Sequence, residues 1–285
     1  MIVPPIKIQG KKTKLVPKII EIAQAQLDEH PEITTWVEPF LGSGVVAFNG
    51  ACLGQIKKVV VNDINPHIIQ FYDCVNAGTL TGDMIKEALW RYGQELSRRG
   101  EEYYNEVRDR FNEDYNVMDF LFLTRTGFNG VMRFNSKGKW NVPFCKLNGR
   151  LNNDVVEELA RSVDELSDLF SKKEFEFHNE SFESLMDIPD AIYYCDPPYY
   201  GLNVQYYKGW KEEQEVLLNK KLSGKTFIYS TWLNDGHKDN PMINKLWNKY
   251  VVDEQNHKYN VANKASDRKG IREGIIYPSL KNGLW

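Results

Sequence analysis

Residues 34–63, TTWVEPFLGSGVVAFNGACLGQIKKVVVND, decide the fold. TTWVEPF is a short β-type run, LGSG is a turn, and VVAFNGACL reads as a helix ending near Gly54. KKVVVND is a β-branched strand closed by Asn62-Asp63, and NPHIIQFYDCV follows as a helix with Asn65 as N-cap and Pro66 at its first position. Strand, turn, helix, strand, helix is a βαβ unit, and that implies a parallel sheet.

Working outward, helical spacing takes over from about Asn76 to Phe170: GDMIKEALWRYGQELSRR, EEYYNEVRDRFN, VMDFLFLTRT and DVVEELARSVDELSDLF. Between the last two, TGFNGVMRFNSKGKWNVPF carries three glycines and an Asn-Ser-Lys-Gly turn, which suggests a hairpin or structured loop. Strand-like runs then return at EFEFHN, AIYYCD, KTFIYST and REGIIYP. The expected architecture is an α/β, Rossmann-like sheet from residues 1–75 and 171–285, interrupted by a mostly helical insert at 76–170.

Composition is that of a soluble globular chain: 285 residues, 42% hydrophobic and 26% charged. No apolar run approaches the ~18 residues of a membrane span, and the N-terminus lacks a signal-peptide core, so a cytoplasmic protein without a membrane partner is expected. The four cysteines have no CxxC spacing and no nearby histidine, so no metal site is expected and buried free thiols are. Net charge is −3, but residues 120–153 contain no acid and six Lys or Arg, and the first twenty residues carry five Lys and no acid. Such segments are either solvated faces or a track for a polyanion.

Two sites stand out. Gly42-Ser43-Gly44-Val45-Val46-Ala47 forms GxGxxA after a strand, and Asp63 ends the next strand about twenty residues on. The pair suits an adenosine-containing cofactor or, read blandly, a plain turn. A dinucleotide would place its pyrophosphate at the helix N-terminus. S-adenosylmethionine has no phosphate and tolerates Glu38 just before the glycines, which favours it. The second site is Asp196-Pro197-Pro198-Tyr199 at the end of an apolar run. An exocyclic amine is a weak nucleophile and needs close positioning. Asp196 and the Pro197 carbonyl can accept its two N–H bonds, and Tyr199 can stack on a base.

These stretches together resemble the Dam-type (D12 class) DNA adenine-N6 methyltransferases, across most of the chain. The resemblance implies a flipped adenine in double-stranded DNA as substrate and S-adenosylmethionine as methyl donor. PPIKIQGKKTKLVPKI resembles the segment closing over the methionine end of the cofactor, which nominates Ile8, Gly10 and Lys12. EPFLGSG resembles the cofactor loop (Glu38, Pro39, Phe40, Gly42, Gly44), and VVVNDIN resembles the ribose-binding strand end (Asp63, Ile64). HNESFESL resembles the adenine-contacting segment (Glu180, Ser181, Phe182), and Asp196 also borders the cofactor. RTGFNGVMRFNSKGKWNVPF resembles the DNA-reading hairpin, with Arg125, Phe128, Asn129, Val131, Lys137, Lys139, Asn141 and Pro143. Within it Arg133 would read a guanine, and Lys7 another. Ile8 replaces the family's common Trp. Leu147 replaces an aromatic base contact of GATC enzymes, which favours a longer GAT-containing site such as GATATC. A monomer suffices for this chemistry and is expected. A restriction endonuclease acting on the same site, without a stable complex, is an expected functional counterpart.

Three rivals are weighed. Cytosine-C5 methylation needs a Pro-Cys nucleophile, which the chain lacks. Cytosine-N4 methylation uses similar geometry and is disfavoured by Asp at the first motif position. A nicotinamide-dependent oxidoreductase explains GxGxxA and Asp63 but leaves DPPY without a role.

Overall fold

β-Branched and aromatic runs that are buried on both faces become the central strands of one sheet. The computed structural model describes residues 1–202, 210–255 and 272–280. The strands are β1 (Thr35–Glu38), β2 (Lys58–Asn62), β3 (Glu174–His178), β4 (Ala191–Cys195), β5 (Thr226–Asn234), β6 (Val251–Gln255) and β7 (Arg272–Tyr277). Their order is β3-β2-β1-β4-β5-β7-β6, with β7 antiparallel to both neighbours. The first five are parallel, and β1 lies between β2 and β4: Val37 is in register with Val60 and with Tyr193. Strand order therefore reverses between β1 and β4, and a crevice forms at their carboxyl ends. Open α/β sheets bind ligands there.

Helices α1 (Val16–Glu29), α2 (Val45–Gly50), α3 (Pro66–Asn76) and α8 (Glu212–Leu222) flank the sheet. The expected cap of α3 forms: Asn65 Oδ1 accepts the His67 N–H at 3.0 Å. Helices α4 (Gly82–Arg99), α5 (Glu101–Asp114), α6 (Val117–Thr126) and α7 (Asn153–Lys172) form the helical stretch expected from the sequence. A buried ion pair fastens three of them. Asp119 on α6 is fully buried, takes two bonds from Arg110 on α5 (2.6 and 2.7 Å) and one from the Tyr92 hydroxyl on α4 (2.8 Å). The apolar stripe of α7 (Val156, Leu159, Val163, Leu166, Phe170) joins the same core as Trp36, Val59 and Val61 of the sheet.

Some expectations need correction. Helix α2 stops at Gly50, short of Gly54. Helices α1 and α8 and strand β6 were not expected, although α1 buries Val16, Ile19, Ile22, Ala23 and Leu27 at helical spacing. The hairpin is irregular. Its arms form isolated bridges, Gly127 to Phe144 and Phe134 to Trp140, in place of a continuous ladder, with further cross-arm bonds such as the Asn141 N–H to the Arg133 carbonyl at 3.1 Å. Gly138 turns at φ +73°, and Asn135 Oδ1 takes the Lys137 and Lys139 N–H groups. Of the four thiols only Cys195 is buried, while Cys52 is exposed. Part of the loop after Tyr200, expected to face DNA, falls at 203–209, outside the described residues.

Candidate active site and nucleic-acid interface

The turn after β1 is shaped by its polar neighbours. Gly42 and Gly44 sit at φ +52° and +76°, conformations that a side chain disfavours. A Cβ on Gly44 would lie 2.3 Å from the Phe48 ring. Asp63 ties this turn to the next strand end, because Oδ2 accepts the Gly42 N–H and Oδ1 the Asn65 N–H, both at 2.8 Å. Burial pushes its carboxyl up to about 6 despite those two bonds. Asn62 joins three loops: its amide donates to the Pro39 carbonyl (3.0 Å) and the Glu180 carbonyl (3.1 Å), and its oxygen accepts the Glu180 N–H (2.8 Å). Glu38 is buried beneath the turn with the Trp36 indole N–H at 3.3 Å. Burial raises its pKa well above the usual carboxylate range, and the charges of Asp196 and Asp63 push the same way.

An aromatic wall stands beside the turn. Phe40 stacks on Phe182 (5.3 Å between centroids), and Trp210 meets both at 5.4 and 5.5 Å. Glu180 and Ser181 are exposed next to this wall, and Ile64 projects into solvent at 59% exposure.

Strand β4 is wholly buried and delivers Asp196 to the crevice. The Lys12 ammonium lies 2.9 Å from Asp196 Oδ2 and 3.7 Å from Glu273 Oε1 on β7, and it donates to the Gly10 carbonyl at 3.0 Å. Burial pushes the Asp196 carboxyl up to about 6; Lys12 opposes this and Glu273 adds to it. The Tyr199 hydroxyl donates to Glu273 Oε1 at 2.6 Å, and its ring centre is 5.2 Å from the Lys12 ammonium. Pro197 is buried, while Pro198 and Tyr199 are half-buried at the mouth.

The crevice thus gathers Glu38, Asp63 and Asp196 around a glycine cradle and an aromatic wall, with Glu273 set behind Tyr199 and Lys12. Such a donor set fits a cationic, phosphate-free adenosine ligand and repels a pyrophosphate. A family model for the D12 class N6 adenine-specific DNA methyltransferases matches residues 9–261. The chain belongs to that family. The methyltransferase is 32% identical over 215 residues to the type II methyltransferase M.MjaIII of Methanocaldococcus jannaschii, covering 70% of each chain. It is 31% identical over 190 residues to a DNA adenine methylase of Vibrio cholerae, covering 65% of this chain and 62% of the relative. Against the modification methylase LlaI of Lactococcus lactis it is 27% identical over 255 residues, 84% of this chain but 38% of that one. Methyltransferases of this class depend on S-adenosylmethionine.

The methyltransferase also brings its basic segments together. The Gln9 N–H donates to the Gly130 carbonyl at 3.0 Å, and the Lys7 stem packs against Gly130, where a Cβ would lie 3.3 Å away. Lys7 is depressed by burial and by the charges of Arg150 and Arg125; Lys11 is lowered to about 8 by burial and Arg125. Arg125 itself is half-buried beneath the N-terminal segment, 3.5 Å from the Pro5 carbonyl. At the open end of the hairpin, near the Gly127 to Phe144 bridge, Phe128 is 42% and Leu147 53% exposed, and Asn129 takes φ +52°. Lys137, Lys139, Asn141 and Pro143 are exposed, and Val131 is half-buried. The Arg133 guanidinium is held by Asn141, donating to its Oδ1 (2.8 Å) and carbonyl (2.9 Å). The hairpin is joined to the segment after β2, since Asn65 Nδ2 donates to Met132 Sδ at 2.9 Å and His67 stacks on Phe134.

Sequence reasoning missed Glu273, Asn62, Asn65 as a link to the loop, and Trp210. Asn62 directly precedes Asp63 at a strand end, a usable signal. Glu273 lies seventy-seven residues from Asp196 on an antiparallel strand, and no local pattern marks it.

Proposed function

We propose that this chain is a site-specific DNA methyltransferase acting on the N6 amine of an adenine flipped out of a GAT-containing duplex site, GATATC or GATC. The observation that carries the reading is Asp196 at the end of β4, beside the glycine turn and paired with Lys12 at 2.9 Å.

In this reading Asp63 holds the ribose hydroxyls, the wall of Phe40 and Phe182 takes the adenine, and Glu38 and the segment from Ile8 to Lys12 border the methionine end. S-adenosylmethionine supplies an electrophilic methyl group on a sulfonium. Asp196 and the Pro197 carbonyl accept the two N–H bonds of the target amine, orienting its lone pair. Tyr199 stacks on the flipped base, which returns roughly 1–3 kcal/mol against an extrusion cost of a few kcal/mol. As the amine becomes cationic during transfer, the half-buried carboxylate of Asp196 stabilises the developing charge.

Residues 76–170 serve as the target-recognition insert. Arg133 reads a guanine, and Phe128, Asn129 and Val131 enter the base stack. Lys7, Arg125, Lys137, Lys139, Asn141 and Pro143 line the same DNA track. Exposed Leu147 in place of an aromatic contact supports the longer site, as does the resemblance of RFNSKGKWNVPFCK to the modification methylase of the EcoRV restriction system. A monomer suffices, with a restriction endonuclease of the same site as counterpart.

Duplex DNA carrying the candidate sites is incubated with methyl-labelled cofactor and digested to nucleosides. Label is expected in N6-methyladenine, and label in N4-methylcytosine would overturn the reading. Asp196→Ala is expected to lower transfer at least 100-fold while cofactor still binds by calorimetry.

A further inference from the structure

The strand pairing places one rung of the sheet directly under the DPPY tyrosine. Glu273 on β7 is in register with Trp232 on β5, and residues facing each other across an antiparallel pair present side chains on one face. Both reach the segment after Pro198. The Tyr199 hydroxyl donates to Glu273 Oε1 at 2.6 Å, and the Trp232 indole N–H donates to the Tyr200 carbonyl at 2.8 Å. Glu273 is 2% exposed and Trp232 is fully buried. Gln255 on β6 pairs with Glu273 from the other side, so its backbone is held by two neighbours.

A carboxylate is kept in a buried rung only when its partners compensate the lost water. Here the partners are the hydroxyl of the ring that faces the base and the ammonium that faces Asp196. We propose that Glu273 is a positioning residue: its carboxylate fixes the ring plane of Tyr199 and, with Trp232, forms a rigid support from which that ring meets the target base. This rests on the adenine-methylating reading above.

The mechanism of support is geometric. A tyrosine ring turns about two torsions, and a hydrogen bond at its far end removes that freedom before the base arrives. The acceptor sits on the sheet, whereas the ring sits on a loop, so the sheet's rigidity is passed to the loop. A reacting group displaced by about 1 Å loses up to about 100-fold in rate.

The test is single-turnover methyl transfer at saturating DNA and cofactor, with four variants. Glu273→Leu removes the acceptor and Tyr199→Phe removes the donor; each is expected to slow transfer about 10- to 100-fold. Glu273→Gln keeps an oxygen that accepts the hydroxyl while removing the charge, and is expected to recover to within about 3-fold of the unmodified protein. The double variant Glu273→Leu/Tyr199→Phe is expected to be no slower than its slower parent, because Glu273→Leu already removes the bond that Tyr199→Phe removes. Cofactor affinity by calorimetry is expected to stay within about 3-fold for all four. If Glu273→Leu does not fold, Glu273→Gln and Tyr199→Phe with their double variant carry the same comparison. Multiplying effects in either double variant, or Glu273→Gln as slow as Glu273→Leu, would overturn the proposal. So would full activity in Glu273→Leu. Absence of N6-methyladenine from the unmodified protein would instead overturn the function on which it rests.

Discussion

Replacing Lys12 with Gln tests the active-site electrostatics most directly. The ammonium lies 2.9 Å from Asp196 Oδ2 in a buried crevice. At an effective dielectric of about 20, a pair at this distance interacts by roughly 4–6 kcal/mol before solvation costs. A carboxylate beside a cation is in practice lowered by about 1–3 pKa units, or about 1.4–4 kcal/mol. Asp196 stands at about 6 with Lys12 in place. The other groups that bear on it are Glu273 on β7, whose charge pushes it up, and Glu38 and Tyr194, whose own ionisation it opposes. Removing Lys12 therefore moves Asp196 further up. The carboxylate is the form that accepts the amine N–H bonds, so activity is present above this pKa and lost as pH falls through it. The acid limb of kcat/KM, which reports the free enzyme, is expected near pH 6 in the unmodified protein. In Lys12→Gln it should rise by at least one unit. The position of the limb, not the absolute rate, is the readout, because the proposed function also sets Lys12 beside the cofactor. A limb that stays within about 0.3 unit of its original position would refute the assignment of Lys12 as the cation that keeps Asp196 ionised.

Other perturbations separate the remaining parts of the site. Asp63→Asn should weaken cofactor binding by about 1.5–3 kcal/mol in calorimetry, the worth of a charged hydrogen bond. Because the Asp63 carboxyl is raised to about 6, native affinity should fall as pH drops through 6, and the Asn variant should show a flatter profile. Gly44→Ala forces a Cβ to within 2.3 Å of Phe48 at φ +76°, so urea denaturation should show a loss above about 1–2 kcal/mol. Among the described residues the Arg133 side chain bonds to Asn141, so Arg133→Ala should change thermal stability little. Discrimination at one guanine of the site should fall by about 1–3 kcal/mol, read by methylation of sites with that base substituted.

The residues differ in how plainly they announce themselves. Gly42, Gly44 and Asp63 were readable because a βαβ crossover has a fixed length, so a tight turn and a strand-end acid fall about twenty residues apart. Asp196 to Tyr199 were readable because two prolines after an apolar run can only end a buried strand. The helices α4 to α7 were readable from their apolar period. Helix α1 and strand β6 escaped attention for different reasons. The apolar stripe of α1 was present beside conspicuous lysines, whereas β6 (VVDEQ) is an edge strand with alternating burial and little composition of its own.

By itself, then, the sequence determined the sheet's parallel half, the helical insert, the glycine turn and the DPPY strand end, since each depends on contacts between near neighbours in the chain. Only the tertiary structure decided which distant groups share one space. It brought Lys12 and Glu273 to Asp196 across gaps of 184 and 77 residues, seated the Trp232 and Glu273 rung beneath Tyr199 and Tyr200, and tied Arg133 to Asn141. Those meetings follow from strand order and register, which arise from packing the whole sheet at once and leave no periodic trace in the chain.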